Sequence, residues 1–389
     1  MVVLAIAGGV ALFLAIAGFL LIAPGIVEAS MNRVLPHPPW PVSDRARALH
    51  DRLTIGDWHC DSLLWNRDLT KRCRRGHVDL PRLVEGNVAV QVFTTVTKVP
   101  AGKNVVENVE KNRDQITLLA LAQLWPIRSW RSLCERGLHQ AARLHRFAAR
   151  APKRLRVLRT KADLDRLLAD RAAGAKVVGA ILGAEGAQVL DARLENLDRL
   201  WAAGFRLIGL HHFLDSEVGG SLHGAQRGGL TDYGRALVRE LVARGFLIDL
   251  THSSEQTARD VLAMTNVPLV VSHTGICSHC HSPRNFSDDL MVDIMARGGV
   301  AGIGYWQEVI GDPSPAGIAG AVQAAIVLLG EDAVSLGSDF DGAVPEPFDV
   351  SELAALTEAL LQAGLSEPTI AKVMGGNMVR LLGQTLPAA

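Results

Sequence analysis

The sequence predicts an α/β fold, a (β/α)₈ barrel of the TIM type, and three observations support that prediction. Short apolar runs of strand type recur beyond residue 45, helical periodicity fills the stretches between them, and most runs end in a histidine or an acidic residue. The runs are Leu53–Trp58, Val88–Val96, Lys176–Leu182, Arg206–Leu210, Phe246–Leu250, Pro268–Val271, Val300–Tyr305 and Ala333–Leu336. Eight strands alternating with helices are typical of this barrel. A doubly wound open sheet is the alternative, but no Gly-x-Gly-x-x-Gly motif follows the first run.

Helix start signals lie between these runs. Thr231 precedes "DYGRALVRELVARG", and Ser366 precedes "EPTIAKVMGG". A threonine or serine hydroxyl at that position accepts a hydrogen bond from the first turn of a helix. Both residues are therefore predicted to be N-caps.

The composition is that of an ordinary globular protein. The chain has 389 residues, is 48% hydrophobic and 21% charged, and has zero formal net charge. Because nucleic-acid-binding proteins usually carry a basic excess, the balance argues against a nucleic-acid partner. Five cysteines form no disulfide framework. Cys277 and Cys280 form one Cys-x-x-Cys, which we interpret as a loop thiol pair, although such a pair can also bind a soft metal.

The N-terminus departs from this globular pattern. Met1 to Ala23 contains no charged side chain and is long enough to cross a bilayer as a helix. We therefore expect a transmembrane anchor over residues 1–24, a proline-rich linker over 25–44 and a barrel domain over 45–385. A signal sequence, cleaved or retained, is the alternative. We expect a single-pass membrane protein with an extracytoplasmic catalytic domain, although the flanking charges do not decide the orientation.

The first apolar run ends in two residues that suit a metal ion. His59 and Asp61 are two positions apart, so in an extended chain they share a face while Cys60 points to the other side. An imidazole and a carboxylate that converge on one point are typical ligands of a divalent metal. Cys60 is expected to be a small core residue.

Six other runs end in similar residues. These are Glu185, His211 with His212, His252, His273, Tyr305, and Asp339 with Asp341. In a barrel the carboxyl ends of the strands meet at one mouth, where active sites of this fold lie. The sequence therefore predicts a metal site at the C-terminal mouth.

Arginine is concentrated in one stretch, from Arg128 to Arg159, in which Glu135 is the only acidic residue. Trp125, Trp130 and Phe147 lie just before or among the arginines. Two interpretations stay open. The first is a solvated helical hairpin, the more common case, and the second is contact with anionic lipid headgroups near the anchor.

A set of ordered motifs resembles the membrane (renal) dipeptidase family, zinc-dependent enzymes of the amidohydrolase superfamily. The motifs are "DWHCDS", "GAEG", "LHHFLDSEVGGS", "IDLTHSS", "VVSHTG", "SPRNFSDDLM", "LGSDFDG" and "KVMGGNMVRLL". The resemblance covers roughly Thr54 to Leu382 and is weakest in the arginine-rich stretch. The loop "HHFLDSEVGGSLHGAQRGG" also departs from the renal pattern, which leaves the substrate side-chain preference open.

The resemblance implies two Zn²⁺ ions per chain. His59 and Asp61 match ligands of one ion, and His252 and His273 match ligands of the other, while Glu185 matches the carboxylate that bridges them. A water shared by two such cations is acidified and can attack an amide carbonyl as hydroxide near neutral pH. Cobalt or manganese would also suit these ligands.

The resemblance also implies roles in catalysis and substrate binding. Asp339 matches the acid/base residue, with Asp341 as the rival that alternation does not exclude. His212 matches the histidine that binds the substrate and stabilises the oxyanion, with His211 as the neighbouring alternative. Arg284 matches the arginine that binds the terminal carboxylate of the substrate. We also expect Tyr305 to line this pocket.

The function that follows from the resemblance is a binuclear zinc dipeptidase whose partner is a dipeptide substrate. Tolerance of a D-residue at the C-terminal position is a family property that stays open for this chain. Dimers are common in the family, but no feature of the sequence establishes one. The alternative is another barrel amidohydrolase that acts on N-acyl amino acids, cyclic amides or lactones. A catalytically silent binding protein is disfavoured because the ligand set and Asp339 are intact.

Overall fold

The computed structural model describes residues 18, 20, 22–109 and 111–388. The predicted span Met1–Ala23 therefore lies almost wholly outside the described residues. Within them, no helix combines the length and the apolar character needed to cross a bilayer.

The described strands are all parallel and form a closed barrel. Their bounds are β1 Ile55–Cys60, β2 Val88–Val96, β3 Leu155–Val157, β4 Val178–Glu185, β5 Phe205–Gly209, β6 Leu247–Asp249, β7 Val270–Thr274, β8 Val300–Ile303 and β9 Val334–Leu336. The order is β2-β1-β9-β8-β7-β6-β5-β4, and pairing of β2 with β4 closes the ring. The predicted eight-stranded barrel is confirmed. The short strand β3, which was not predicted, pairs only with the first half of β4.

Helices surround the barrel. Residues 22–31 form the helix here named α1. The others are α2 Asp44–His50, α3 Leu80–Glu85, α4 Gln115–Ala122, α5 Leu133–Arg150, α6 Lys161–Ala172, α7 Asn196–Ala203, α8 Asp232–Arg244, α9 Glu255–Met264, α10 Asp288–Met295, α11 Gln307–Ile310, α12 Pro315–Leu329, α13 Ala354–Gln362, α14 Glu367–Ala371 and α15 Asn377–Thr385. Thr231 and Ser366 cap α8 and α14 through their hydroxyl groups, which confirms both predicted caps.

Alternation along the strands separates two apolar layers. Leu207, Leu247 and Val270 of β5, β6 and β7 belong to a cluster with Trp58 of β1, and α15 packs against the same cluster. The residues that follow each of the three on its strand belong to the larger layer between strands and helices. Since adjacent side chains of a strand point to opposite faces, the first cluster fills the barrel interior and α15 closes its lower end.

The segment before the barrel packs against it. Helix α1 places Glu28, which is 1% exposed, against Arg67 and Arg75 of the loop after β1. Farther along, Val34 forms a parallel bridge with Glu346. Part of the stretch predicted as a linker is therefore helical, and buried ion pairs attach it to the domain.

Candidate metal centre

The side chains predicted from the strand ends meet at the C-terminal mouth of the barrel, where a cavity of about 1040 Å³ opens. Six predicted site residues line it, namely Asp61, Glu185, His212, His252, Arg284 and Asp339. His59 and His273 are each 1% exposed and contact these groups from below. The structure thus brings residues from six strand ends and one loop into a single site.

The first group of candidate ligands comes from β1 and β4. His59 Nε2 lies 3.5 Å from an oxygen of Asp61 and 3.5 Å from Oε1 of Glu185. Two ligand atoms that each lie about 2.1 Å from a tetrahedral ion are about 3.4 Å apart. The spacing of these three side chains therefore fits one metal ion.

The second group shares Glu185. Its Oε1 lies 3.2 Å from His252 Nε2 and 3.6 Å from His273 Nε2, and these two nitrogens are 3.1 Å apart. This spacing again matches a tetrahedral site. Since both groups use the same carboxylate, Glu185 lies where a bridging ligand would have to lie.

Hydrogen bonds behind His252 fix its protonation. Val105 O can only accept, so His223 Nδ1, 2.8 Å away, carries a hydrogen. Burial lowers the pKa of His223 to about 3, so this ring is neutral and its Nε2 is an acceptor. His252 Nδ1, 3.0 Å from that Nε2, must then donate. Its own Nε2 is left with a lone pair that points into the site, as metal binding requires.

His273 is oriented by a different relay. The hydroxyl of Ser272 donates to Asp249 at 2.6 Å and lies 2.9 Å from His273 Nδ1. Because the hydroxyl hydrogen is already used, Ser272 Oγ accepts from Nδ1. The Nε2 lone pair of His273 therefore faces Glu185 and His252. None of His223, Ser272 and Asp249 was predicted as part of the site.

The charges at the site are incomplete without a cation. Burial raises the pKa of Glu185 well above its ordinary value, and the charge of Asp61 adds to the rise. Burial lowers the pKa of His252 and of His273 well below the ordinary range, so both rings are neutral. Burial also opposes the charge of His59, but Glu185 and Asp61 raise its pKa to about 10. The carboxylates of Glu185 and Asp61 therefore favour a positive charge at this position, which a proton on His59 can supply. A divalent metal ion would supply the same charge and suits these imidazole and carboxylate ligands.

The two neighbouring histidines after β5 are separated by the structure. His212 Nε2 lies 3.3 Å from Oε2 of Glu185, at the cavity wall. His211 turns away, and its Nδ1 lies 3.2 Å from the hydroxyl of Ser253. Glu185, His212 and His252 also form a group close enough to hold an ion, so the position of His212 suits either a ligand or a hydrogen-bond donor to substrate.

The two aspartates after β9 are separated in the same way. Asp339 lines the cavity, with an oxygen 3.7 Å from His59 Nε2, and burial raises its pKa to about 6. Asp341 is fully buried and binds Arg67, the hydroxyl of Ser62 and the backbone N–H of His77. Burial alone would raise the pKa of Asp341, but Arg67 and His77 hold it below the ordinary value.

Arg284 closes one side of the cavity. Its Nη2 donates to the carbonyl of His273 at 2.8 Å, and the guanidinium carbon lies 5.8 Å from the ring centre of Trp306. Among the described residues, no carboxylate forms an ion pair with it, although it is only 4% exposed. The guanidinium is therefore available to a carboxylate brought by a ligand.

Tyr305 does not face the cavity. Its ring packs against Phe340 and Phe348, and Trp306 lines the cavity in its place. The reason is that β8 ends at Ile303, so alternation no longer applies, and the Trp306 ring covers Gly304, where a Cβ atom would clash with it. Lys103, on the loop after β2, also lines the cavity and was not predicted, because no local pattern marks it.

Backbone strain is present at the mouth. His252, Asp339 and Asp341 have φ angles of 67°, 61° and 64°, in the left-handed region that non-glycine residues rarely adopt. Each such residue costs about 1 kcal/mol or more and persists only where the surroundings enforce it. The strain therefore marks the strand ends that carry the candidate site.

Comparisons with known proteins point to one family. A profile of the family described as "Membrane dipeptidase (Peptidase family M19)" matches residues 43–388. Dipeptidase ataJ of Aspergillus terreus is 26% identical over 378 residues, which cover 87% of this chain and 86% of that protein. A metallo peptidase from Rhodobacter sphaeroides, solved with a phosphinate mimic of L-Ala-D-Ala, is 27% identical with a TM-score of 0.69, covering 86% of this chain and 99% of the other. The metallo peptidase described as dipeptidase AC is also 27% identical, with a TM-score of 0.69 and coverage of 87% and 99%.

Proposed function

The chain belongs to the membrane dipeptidase family and is a metallo-dipeptidase, and from that premise we propose that it is a binuclear zinc enzyme that hydrolyses dipeptides, L,D-dipeptides among them. The observation that carries the proposal is Oε1 of Glu185, which is shared by two groups of ligand atoms spaced for two ions. The cavity above these groups contains the other side chains that peptide hydrolysis requires.

The two ions would be held by separate sets of residues. His59 and Asp61 would bind one ion, His252 and His273 the other, and Glu185 both. When bound, the zinc ions supply Lewis acidity and lower the pKa of the attacking water. The histidine orientations described above support this assignment, since the lone pairs of His252 and His273 already face the site.

Asp339 would move the proton. It lies at the cavity wall beside His59, while Asp341 is held by Arg67 and has no access to a ligand. In the proposed reaction the Asp339 carboxylate accepts a proton from the attacking water and returns it to the leaving amine. The water oxygen forms the new bond to the carbonyl carbon, and the bond from that carbon to nitrogen breaks.

Two further residues would bind the substrate. Arg284 would bind the C-terminal carboxylate through its unpaired N–H groups, which positions the scissile bond over the ligand groups. His212 would donate a hydrogen bond to the developing oxyanion. The L,D part of the proposal is supported by the relative from Rhodobacter sphaeroides, which was solved with the L-Ala-D-Ala mimic.

Location is a separate proposal that rests on sequence. Residues 1–24 would anchor the enzyme in a membrane as a single span, with the catalytic domain on the extracytoplasmic side. The uncharged run that ends where α1 begins supports the anchor.

The test uses the full chain in detergent, because α1 packs against the barrel. Zinc content and hydrolysis of a dipeptide panel that includes L,D pairs are measured for the wild type and for Asp339→Asn. Two equivalents of zinc in both proteins, with cleavage lost only in the variant, would support the proposal. Full zinc without cleavage of any dipeptide would overturn the substrate assignment, and one equivalent or none after zinc is supplied would overturn the binuclear site.

A further inference from the structure

Exposed apolar side chains are concentrated in one part of the described surface. Eleven large hydrophobic side chains are exposed among the described residues, and nine of them belong to one region, here named the mouth rim. The mouth rim consists of Ile22, Ile26 and Val27 on α1, Val106 and Val109 on the loop after β2, Leu118 and Leu121 on α4, and Leu124 and Ile127 after α4. The other two, Val292 and Val327, lie on α10 and α12. Scattered apolar residues are normal on a soluble surface, whereas a patch of this kind indicates a contact surface.

The mouth rim borders the active-site cavity. Val27, Val106, Leu118 and Leu121 line the same cavity as Glu185 and the other site residues. Leu124 and Ile127 follow directly in the chain and are 70% and 75% exposed. The cavity therefore opens through a collar of apolar side chains.

The sequence on both sides of the mouth rim fits a lipid surface. An uncharged run from Met1 to Ala23 leads into α1, so the chain enters this region from a segment long enough to cross a bilayer. From Gln115 to Arg131 there is no acidic residue, and the two arginines, Arg128 and Arg131, are exposed beside Ile127. Apolar side chains flanked by exposed arginines are typical of surfaces that enter the headgroup layer of an anionic membrane.

Two of the four arginines of the arginine-rich helix α5 are not available to such a surface. Arg136 binds Asp114 and the carbonyl of Thr97, and Arg143 binds the carbonyls of Leu63 and Trp65. Both side chains are buried and hold α5 against the barrel. The exposed apolar side chains of this region lie on α4 and in the turn after it, and not on α5.

We propose that the mouth rim lies in the headgroup layer of a lipid bilayer, so that the active-site cavity opens at the membrane surface. The cavity then receives substrate along that surface, which favours amphiphilic peptides over fully water-soluble ones. This inference concerns the orientation of the domain and does not depend on which dipeptides are cleaved.

The test places an environment-sensitive fluorescent amino acid at position 127 of the full chain, and in a matched protein at position 327. Val327 is 88% exposed on α12 and lies outside the mouth rim. Both proteins are reconstituted in phosphatidylcholine vesicles with and without phosphatidylglycerol, and with lipids brominated on the acyl chain. We expect the label at 127 to shift to the blue and to lose most of its emission to the brominated lipid, more strongly with the anionic lipid. The label at 327 should do neither.

Leu124→Asp, with Val292→Asp as the control, tests the surface without altering the cavity lining. We expect Leu124→Asp to reduce quenching at 127, Val292→Asp to leave it unchanged, and hydrolysis of soluble dipeptides in detergent to stay the same in both. Equal quenching at 127 and 327, or none at either, would overturn the proposal. A blue shift of the label at 127 without quenching by brominated lipid, increasing with protein density, would show that a second copy of the chain covers the mouth rim. An unquenched blue shift that persists in detergent would show that the N-terminal segment covers it.

Discussion

Two neighbouring regions of the mouth contain buried carboxylates, but they differ in whether a cationic side chain neutralises them. On the floor of the cavity, Asp61, Glu185 and Asp339 face histidine nitrogens, and burial raises the pKa of both Glu185 and Asp339. Beside it, Asp341 and Glu28 each contact a buried guanidinium, that of Arg67. We call this second region the buttress. Among the described residues, the carboxylates of the first region lack an arginine or lysine partner, whereas Arg67 neutralises those of the second. Only the first region is therefore suited to bind a cation.

The strongest test of the difference between floor and buttress is to neutralise each aspartate of "SDFDG" in turn. Asp339→Asn should lower kcat by about 10²–10⁴-fold, because a positioned proton acceptor is lost. Bound zinc and the free energy of unfolding should change little. Kinetics and metal analysis of the purified variant check this. An Asp339→Asn enzyme with near wild-type kcat would show that the proton acceptor lies elsewhere.

Replacing the buttress aspartate, Asp341, by asparagine should lower the stability of the fold and not act on the metal site. Asp341→Asn removes one of the two buried carboxylates that pair with the Arg67 guanidinium, and Glu28 remains as the other. The loss of this buried ion pair should lower the free energy of unfolding by about 3 kcal/mol. Urea denaturation of wild type and variant measures the difference, and zinc content per folded molecule should stay at the wild-type value. A loss of zinc without a loss of stability would contradict the assignment of Asp341 to the buttress.

If the proposed zinc site is present, removal of zinc should lower the stability of the whole fold, and this effect should depend on the ligands of the floor and not on the buttress. Zinc that binds only the folded state adds about 3 kcal/mol of stability at a free concentration 100 times its Kd, and chelation removes this increment. Thermal unfolding with and without zinc measures it. In Glu185→Gln, where the shared ligand is weakened, the increment should shrink. Arg75→Gln, which removes a second partner of Glu28 in the buttress, should keep the increment in full. Equal increments in both variants would exclude Glu185 as a ligand.

A third kind of buried polar group, neutral and fully hydrogen-bonded, lies far from the mouth at His50. Its nitrogens contact the hydroxyl of Thr357 and the carbonyl of Gly86. Burial lowers the pKa of His50 from 6.5 to about 4. Between those values the unfolded chain binds a proton that the folded chain does not, so stability is full above pH 6.5 and falls as the pH falls towards 4.

The expected effect of His50 on the pH dependence of stability is the smallest of those predicted. His50 should contribute about 2 kcal/mol to the loss of stability between pH 7 and pH 5, and His50→Gln should remove that part of the slope. Urea denaturation at the two pH values measures it, with exposed His279→Gln as the matched control. If His50→Gln and the control show the same slope, His50 does not carry this effect.

Much of this architecture could be predicted from sequence because the barrel repeats a simple rule. Strand alternation and the polar residue at each strand end identified the strands and the side chains at the mouth, since parallel strands end together. The same rule could not choose between Asp339 and Asp341. The two residues are two positions apart, so alternation predicts the same face for both. Their side chains diverge because both have positive φ angles and the chain there is no longer a strand.

The remaining differences have the same physical origin. His223, Lys103 and Trp306 reach the site from loops, whose paths depend on tertiary packing and not on a local period. Tyr305 was assigned to the pocket by extending β8 two residues too far. Helix α1 was not predicted because it lies at the end of an apolar run. Its ion pairs with the domain come from Glu28, whose partners are distant in sequence.

That attachment has a mechanical consequence. Glu28 forms an ion pair with Arg67, and Arg67 forms a second ion pair with Asp341. Asp341 lies on the same loop as Asp339. A force applied to α1 is therefore transmitted through the same short series of contacts that holds the loop of Asp339 in place. The N-terminal helix and the loop that carries Asp339 are thus connected in series, so a force on one is transmitted to the other.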